Sequence, residues 1–110
     1  MDWKILSNEE QLQLINQRSA EIPQVIFKHS TRCSISSMAK SRLERAGMPP
    51  NTEFYYLDLI QHRNLSNRIA ELYQVHHESP QVLIIRNSEC IYDESHSGIS
   101  MDEIAEQTAA

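Results

Sequence analysis

A chain of 110 residues with a formal net charge of -5 and 40% hydrophobic content has the length of one domain, expected to span residues 1–110 around a modest core. The acidic balance, without any stripe of Lys and Arg, argues against a nucleic-acid backbone as a partner. No uninterrupted apolar run exceeds four residues, Val82 to Ile85 being one, so no membrane span or signal-peptide core is predicted and the expected compartment is the cytoplasm.

The first helix is predicted over about Asn8 to Arg18, because Ser7-Asn8-Glu9-Glu10 fits a capping box with a hydroxyl at the N-cap and a carboxylate three residues on. Trp3 to Leu6 reads as a short edge strand before it. After Pro23, the β-branched and aromatic run Val25-Ile26-Phe27 predicts a strand that ends at Lys28. From Ser34 to Ala46 the apolar residues Ile35, Met38, Ala39, Leu43 and Ala46 recur at helical spacing, and Gly47 with Pro49-Pro50 supplies the stop. Glu53 to Leu59 follows as a buried strand, and Leu65, Ile69 and Leu72 mark one face of a third helix ending near Tyr73. Pro80 opens a fourth strand over Gln81 to Arg86, Asn87-Ser88 forms a two-residue turn, and Glu89 to Tyr92 returns as an antiparallel partner. A second capping box, Ser100 with Glu103, starts a last helix carrying Met101, Ile104 and Ala105 on one side. The order βαβαβαββα predicts an α/β fold: one mixed sheet with helices on both faces.

The stretch KHSTRCSISSMAK, Lys28 to Lys40, places Cys33 where the second strand gives way to the second helix, with Ser36 three residues further on. A cysteine at that junction, with a proline opening the fourth strand, resembles the thioredoxin fold over nearly the whole chain. The resemblance implies a cis peptide bond at Ser79-Pro80, beside the active cysteine. More narrowly, HSTRCSIS (His29 to Ser36) together with HHESPQV (His76 to Val82) resembles the YtxJ-type family of monothiol bacilliredoxins. That resemblance implies a thiol-disulfide oxidoreductase with no tightly bound cofactor. Its co-substrate would be the low-molecular-weight thiol bacillithiol, and its partners S-thiolated client proteins. Monothiol glutaredoxins, which carry iron–sulfur clusters, usually show Cys-Gly-Phe-Ser, whereas Ser34 and Ile35 stand in the Gly-Phe positions here.

Thiol–disulfide exchange needs a thiolate. At a helix N-terminus, Cys33 is expected to face unpaired N–H groups and the positive end of the helix dipole, with Arg32 adding a nearby cation and the Ser36 hydroxyl donating a hydrogen bond to the sulfur. The expected catalytic residues are therefore Cys33 and Ser36. Ser36 cannot resolve a mixed disulfide internally, so a second thiol must arrive from solution. Thr31, Arg32, Ser79 and Pro80 are the expected substrate-binding residues: the backbone of Ser79 is suited to pair with an extended segment, and Arg32 to meet carboxylates of the small thiol.

Cys90 is expected opposite Ile85, roughly 17 Å along the sheet from Pro80 at the usual strand rise, too far to bridge to Cys33, and it reads as an inert strand residue. His29, His76 and His77 lie near the site in sequence, but no CxxC or HxxxH spacing supports a metal centre, and the expected metal is none. A role for Glu78 is not specified by its sequence position. Two other classes stand beside the enzyme: a binding module or redox sensor of the same fold, and a peroxidase. The peroxidase is disfavoured because Thr31 is two rather than three residues before Cys33.

Overall fold

The computed structural model describes residues 1–109 of the chain. Its elements run β1 (Trp3–Ile5), α1 (Glu10–Arg18), β2 (Gln24–His29), α2 (Ser34–Ala46), β3 (Glu53–Asp58), α3 (Arg63–Tyr73), β4 (Gln81–Arg86), β5 (Glu89–Ser95) and α4 (Met101–Ala109), with a short 3-10 turn at His96–Gly98 between the last two. The strands form one sheet in the order β1-β3-β2-β4-β5. β1, β3 and β2 are parallel, whereas β4 runs antiparallel to β2 and β5 antiparallel to β4. This is the mixed α/β sheet that the sequence order predicts.

β2 lies at the centre, and all six of its residues are buried. Successive side chains of a strand point to opposite faces, so its residues divide between two cores. Val25 and Phe27 join Ala39 and Leu43 of α2 and Met101 and Ile104 of α4. Ile26 joins Leu12 and Ile15 of α1 and Leu65, Ile69 and Tyr73 of α3. Each fully buried Ile, Leu or Phe contributes about 1.5–3 kcal/mol relative to an exposed one, so the two layers together clamp the sheet from both sides.

Several local expectations shift by a residue or a face. α1 starts two residues later than predicted, and its reciprocal cap is one residue along: Asn8 Oδ1 accepts the Gln11 N–H at 3.1 Å while Gln11 Oε1 accepts the Asn8 N–H at 3.1 Å and the Ser7 N–H at 2.7 Å. An amide at Asn8 makes the same exchange as a hydroxyl at Ser7, and Gln11 reaches back more closely than Glu10. β2 continues past Lys28 to His29. In α2 the buried residues are Ser36, Ala39 and Leu43, while Ile35 and Met38 stand 55% and 62% exposed. Leu72 is likewise turned outward, and Tyr73 takes its place in the core beside α1, its hydroxyl donating to Asn16 Oδ1 at 2.6 Å. The Asn87-Ser88 turn forms as predicted, with φ of 53° and 64° at its two residues, the conformation that matches strand twist in a two-residue hairpin. Its backbone is tied to the end of α1: Asn87 N–H donates to the Ser19 carbonyl and Ser88 N–H to Ser19 Oγ.

Candidate functional site

The sheet register brings the two sequence motifs to one pole. Lys28 pairs with Gln81 across β2 and β4, so the segment after His29 and the segment before Gln81 leave the sheet at the same end. Cys33 is the N-cap of α2, with extended backbone angles (φ -108°, ψ 121°). Its N–H donates to the Ser30 carbonyl at 3.1 Å and its own carbonyl accepts the Ser37 N–H at 3.0 Å, which fixes the turn from strand to helix. The residue is partly exposed and its thiol is free. No side-chain hydrogen bond caps the helix from this position, so only the aligned peptide dipoles of α2 act on the sulfur from the helix. Thr31 and Arg32 are exposed beside it. On the facing segment the Ser79–Pro80 peptide bond is cis. Pro80 is buried, and its carbonyl accepts the His96 N–H at 3.0 Å. The Ser79 hydroxyl oxygen is buried and has no partner among the described residues.

Ser36 departs from expectation. Its hydroxyl does not donate to Cys33. The side chain is fully buried, 2.6 Å from His29 Nδ1, and its oxygen accepts the Ser30 N–H at 3.0 Å. Since that oxygen already accepts from the backbone, the arrangement that uses the hydroxyl proton donates it to His29 Nδ1, which leaves His29 neutral with its own proton on Nε2. Burial, and secondarily the cation of Lys40, push the His29 pKa below the ordinary histidine range, against smaller opposing effects of Asp58 and Glu44. The ring stacks on Phe27 with centroids 5.8 Å apart and tilts against Tyr56 at 5.5 Å. Ser36 thus bolts the start of α2 to the end of β2 beneath the cysteine loop. The spacing of Cys33 and Ser36 gives their proximity; it does not show that a buried imidazole competes for the hydroxyl.

The remaining histidines separate. His77 Nδ1 lies 3.2 Å from Lys28 Nζ and 3.3 Å from Ser66 Oγ. His76 is exposed at the rim, with Nε2 3.7 Å from Glu78 Oε2, and His96 Nε2 lies 3.7 Å from the other oxygen of Glu78. Among the described residues, no group of three or more His, Cys, Asp and Glu is arranged to hold a metal ion. Cys90 pairs with Ile85 as the hairpin register predicts, its thiol donates to the Tyr92 carbonyl at 3.3 Å, and burial pushes its pKa up. A raised pKa disfavours the nucleophilic thiolate. Three residues at this pole escaped the sequence reading. Lys28 reads as a strand end but is completely buried, and Ile35 and Met38 read as core but are exposed on the helix that Cys33 caps.

A mixed five-stranded sheet with helices on both faces, a free cysteine capping the helix after the central strand, and a proline at the facing strand's start define a thioredoxin-fold protein of thiol–disulfide redox chemistry. A solved structure described as a thioredoxin-fold protein with an oxidoreductase assignment shares 30% identity, covering 96% of this chain and 92% of that one at a TM-score of 0.79. Thioredoxins of Malassezia sympodialis (16% identity, 99% and 92% coverage, TM-score 0.80) and Fasciola hepatica (17% identity, 96% and 96% coverage, TM-score 0.72) share the fold. Residues 4–104 match the family Monothiol bacilliredoxin BrxC, and the chain belongs to that family.

Proposed function

We propose that the protein reduces mixed disulfides between client proteins and a low-molecular-weight thiol, bacillithiol by family, through Cys33 alone. The observation that supports this most is the pairing of a partly exposed Cys33 at the N-cap of α2 with a buried Ser36 three residues on, where a resolving sulfur would stand.

The Cys33 thiolate attacks the small thiol's sulfur in the mixed disulfide, the client sulfur leaves as a thiolate and takes up a proton, and Cys33 holds the small thiol in a new disulfide. A second small thiol, as its thiolate, attacks the sulfur of the bound one. This releases Cys33 as a thiolate together with the symmetric small-molecule disulfide, whose two electrons have gone to the client. Ser36 is a positioning residue in this scheme, because its hydroxyl is engaged by His29 and Ser30. The guanidinium of Arg32 makes no hydrogen bond or ion pair with any described residue and is open to a carboxylate of the small thiol. The neighbouring Thr31, the backbone of Ser79 and the ring of Pro80 line the side on which the disulfide is held for in-line attack. Ile35 and Met38, exposed one turn into α2, give the client an apolar contact.

The test is turnover of a purified client carrying a bacillithiol mixed disulfide, with free bacillithiol as reductant. Wild type and Cys90→Ser are expected to release the client thiol, and Cys33→Ser is expected to release none above background. Equal release by Cys33→Ser, or client binding without turnover by wild type, overturns the exchange reading in favour of a binding module.

A further inference from the structure

Among the described residues, Lys28 is the one lysine whose whole side chain is buried. It sits on the central strand, on the face that packs against α1 and α3, and its ammonium has two partners: it donates to the Ser66 carbonyl of α3 at 3.1 Å, and Nζ lies 3.2 Å from His77 Nδ1. Ser66 Oγ also approaches that nitrogen, at 3.3 Å. An ammonium has only donors to offer, so His77 Nδ1 must be the acceptor and its ring proton sits on Nε2. Beside Lys28 in the register, Gln81 repeats the grip on the same segment: its Nε2 donates to the His76 carbonyl at 3.0 Å and its Oε1 accepts the Glu78 N–H at 3.4 Å. Two neighbouring side chains rooted in the sheet therefore hold residues 76–78, immediately before Ser79 and Pro80.

We propose that Lys28 is a positioning residue of the exchange site, its buried ammonium fastening the segment that presents Ser79 and Pro80 by holding His77 as a neutral acceptor. This deepens the exchange reading and rests on it for the role of Ser79. The clamp is strongest while Lys28 is charged and His77 is not. Burial brings the lysine down to about 8, and burial first, then the Lys28 charge, lowers His77, with Arg63 and His76 adding to the effect and Glu78 opposing it. Protonation of His77 would set an imidazolium against the ammonium at 3.2 Å, a like-charge contact that expels one of them. Loss of the lysine proton at the other end of the range weakens the donor. The segment is thus tightest between the two titrations and loosens outside them.

The experiment reads the imidazole directly, then the reaction. Long-range proton–nitrogen spectra of wild type should show His77 as the Nε2–H tautomer. In Lys28→Met, which fills the same space without a donor, the His77 titration midpoint should rise by about one pH unit or more, the size of effect a charge at this range exerts. In the exchange assay Lys28→Met should lose about 10- to 100-fold in kcat/KM, as misplacement of a positioning segment does. His77→Asn, which keeps an acceptor oxygen without a titration, should retain a larger share of its own neutral-pH rate than wild type does as the pH falls. If Lys28→Met does not fold, the tautomer in wild type and the pH profile of His77→Asn decide. An Nδ1–H tautomer, an unmoved His77 titration in Lys28→Met, undiminished exchange by that variant, or a His77→Asn profile parallel to wild type overturns the proposal. A wild type that shows the expected tautomer but no exchange overturns the reaction instead; the clamp is then read from chemical shifts of Ser79 and Gln81 in Lys28→Met, and unchanged shifts refute it.

Discussion

Replacing Ser36 with Ala should destabilise the fold by about 2–4 kcal/mol, a large effect for the loss of one oxygen. The bond from the Ser30 N–H, at 3.0 Å, is worth about 1 kcal/mol net, and Ser30 is partly exposed, so its amide recovers some of that from water. His29 has no such recourse: it is 4% exposed, packed between Phe27 and Tyr56, and its Nδ1 has Ser36 as its hydrogen-bond partner at 2.6 Å. A buried acceptor left without a donor costs about 1–3 kcal/mol. At about 4 °C per kcal/mol for a domain of this size, the melting temperature should fall by about 8–16 °C. Urea unfolding followed by circular dichroism measures the change, read as a shift of midpoint at constant slope. Thr108→Val serves as control, because the Thr108 hydroxyl donates to the Ile104 carbonyl of its own helix at 2.9 Å, and its loss leaves no buried partner stranded. A Ser36→Ala variant within about 0.5 kcal/mol of wild type would show that the His29 bond is not the bolt described, and with it the reason Ser36 is unavailable to Cys33 would fall.

Two further outcomes follow from the same geometry. Glu53 accepts from Arg18, Gln24 and Lys4, and the Arg18 bond above all holds its carboxyl down at about 2. A carboxyl with a folded pKa below its unfolded value contributes stability that is complete above about 4.5 and is lost as the pH falls toward 2. The stability gap between wild type and Glu53→Gln in urea titrations should therefore shrink over that interval, and a gap independent of pH would refute the assignment. Restoring a second sulfur with Ser36→Cys should let Cys33 close an internal disulfide after the first exchange, giving loss of both thiols in a free-thiol assay and release of the small thiol. Persistence of the small-thiol adduct on Cys33 in that variant would mean that position 36 lies out of reach of Cys33.

The scaffold was largely legible because its signals are local. The β-branched run Val25-Ile26-Phe27, the Ser100–Glu103 cap, confirmed by the Glu103 N–H donating to Ser100 Oγ at 3.3 Å, and the Asn87-Ser88 turn each depend on neighbours in the chain. The turn even sets the pairing of Cys90 with Ile85. What escaped depends on contacts far apart in sequence. A lysine at the end of an apolar run reads as a strand terminus, and only a carbonyl and an imidazole brought from 38 and 49 residues away give it an interior. Ser36 is three residues from Cys33 whichever way its hydroxyl turns; the choice of His29 over sulfur is made by the packing of Phe27 and Tyr56 around the imidazole. Helical periodicity placed Ile35 and Met38 on a core stripe, but α2 turns Ser36, Ala39 and Leu43 inward instead, which leaves Ile35 and Met38 facing solvent.

The two margins of the sheet are unlike its centre. β1 offers only three residues, and β5, the other border, carries Glu89, Asp93 and Glu94 along its length. A second copy approaching border to border would set these carboxylates against their own kind. Joining of two copies through β5 is thereby disfavoured.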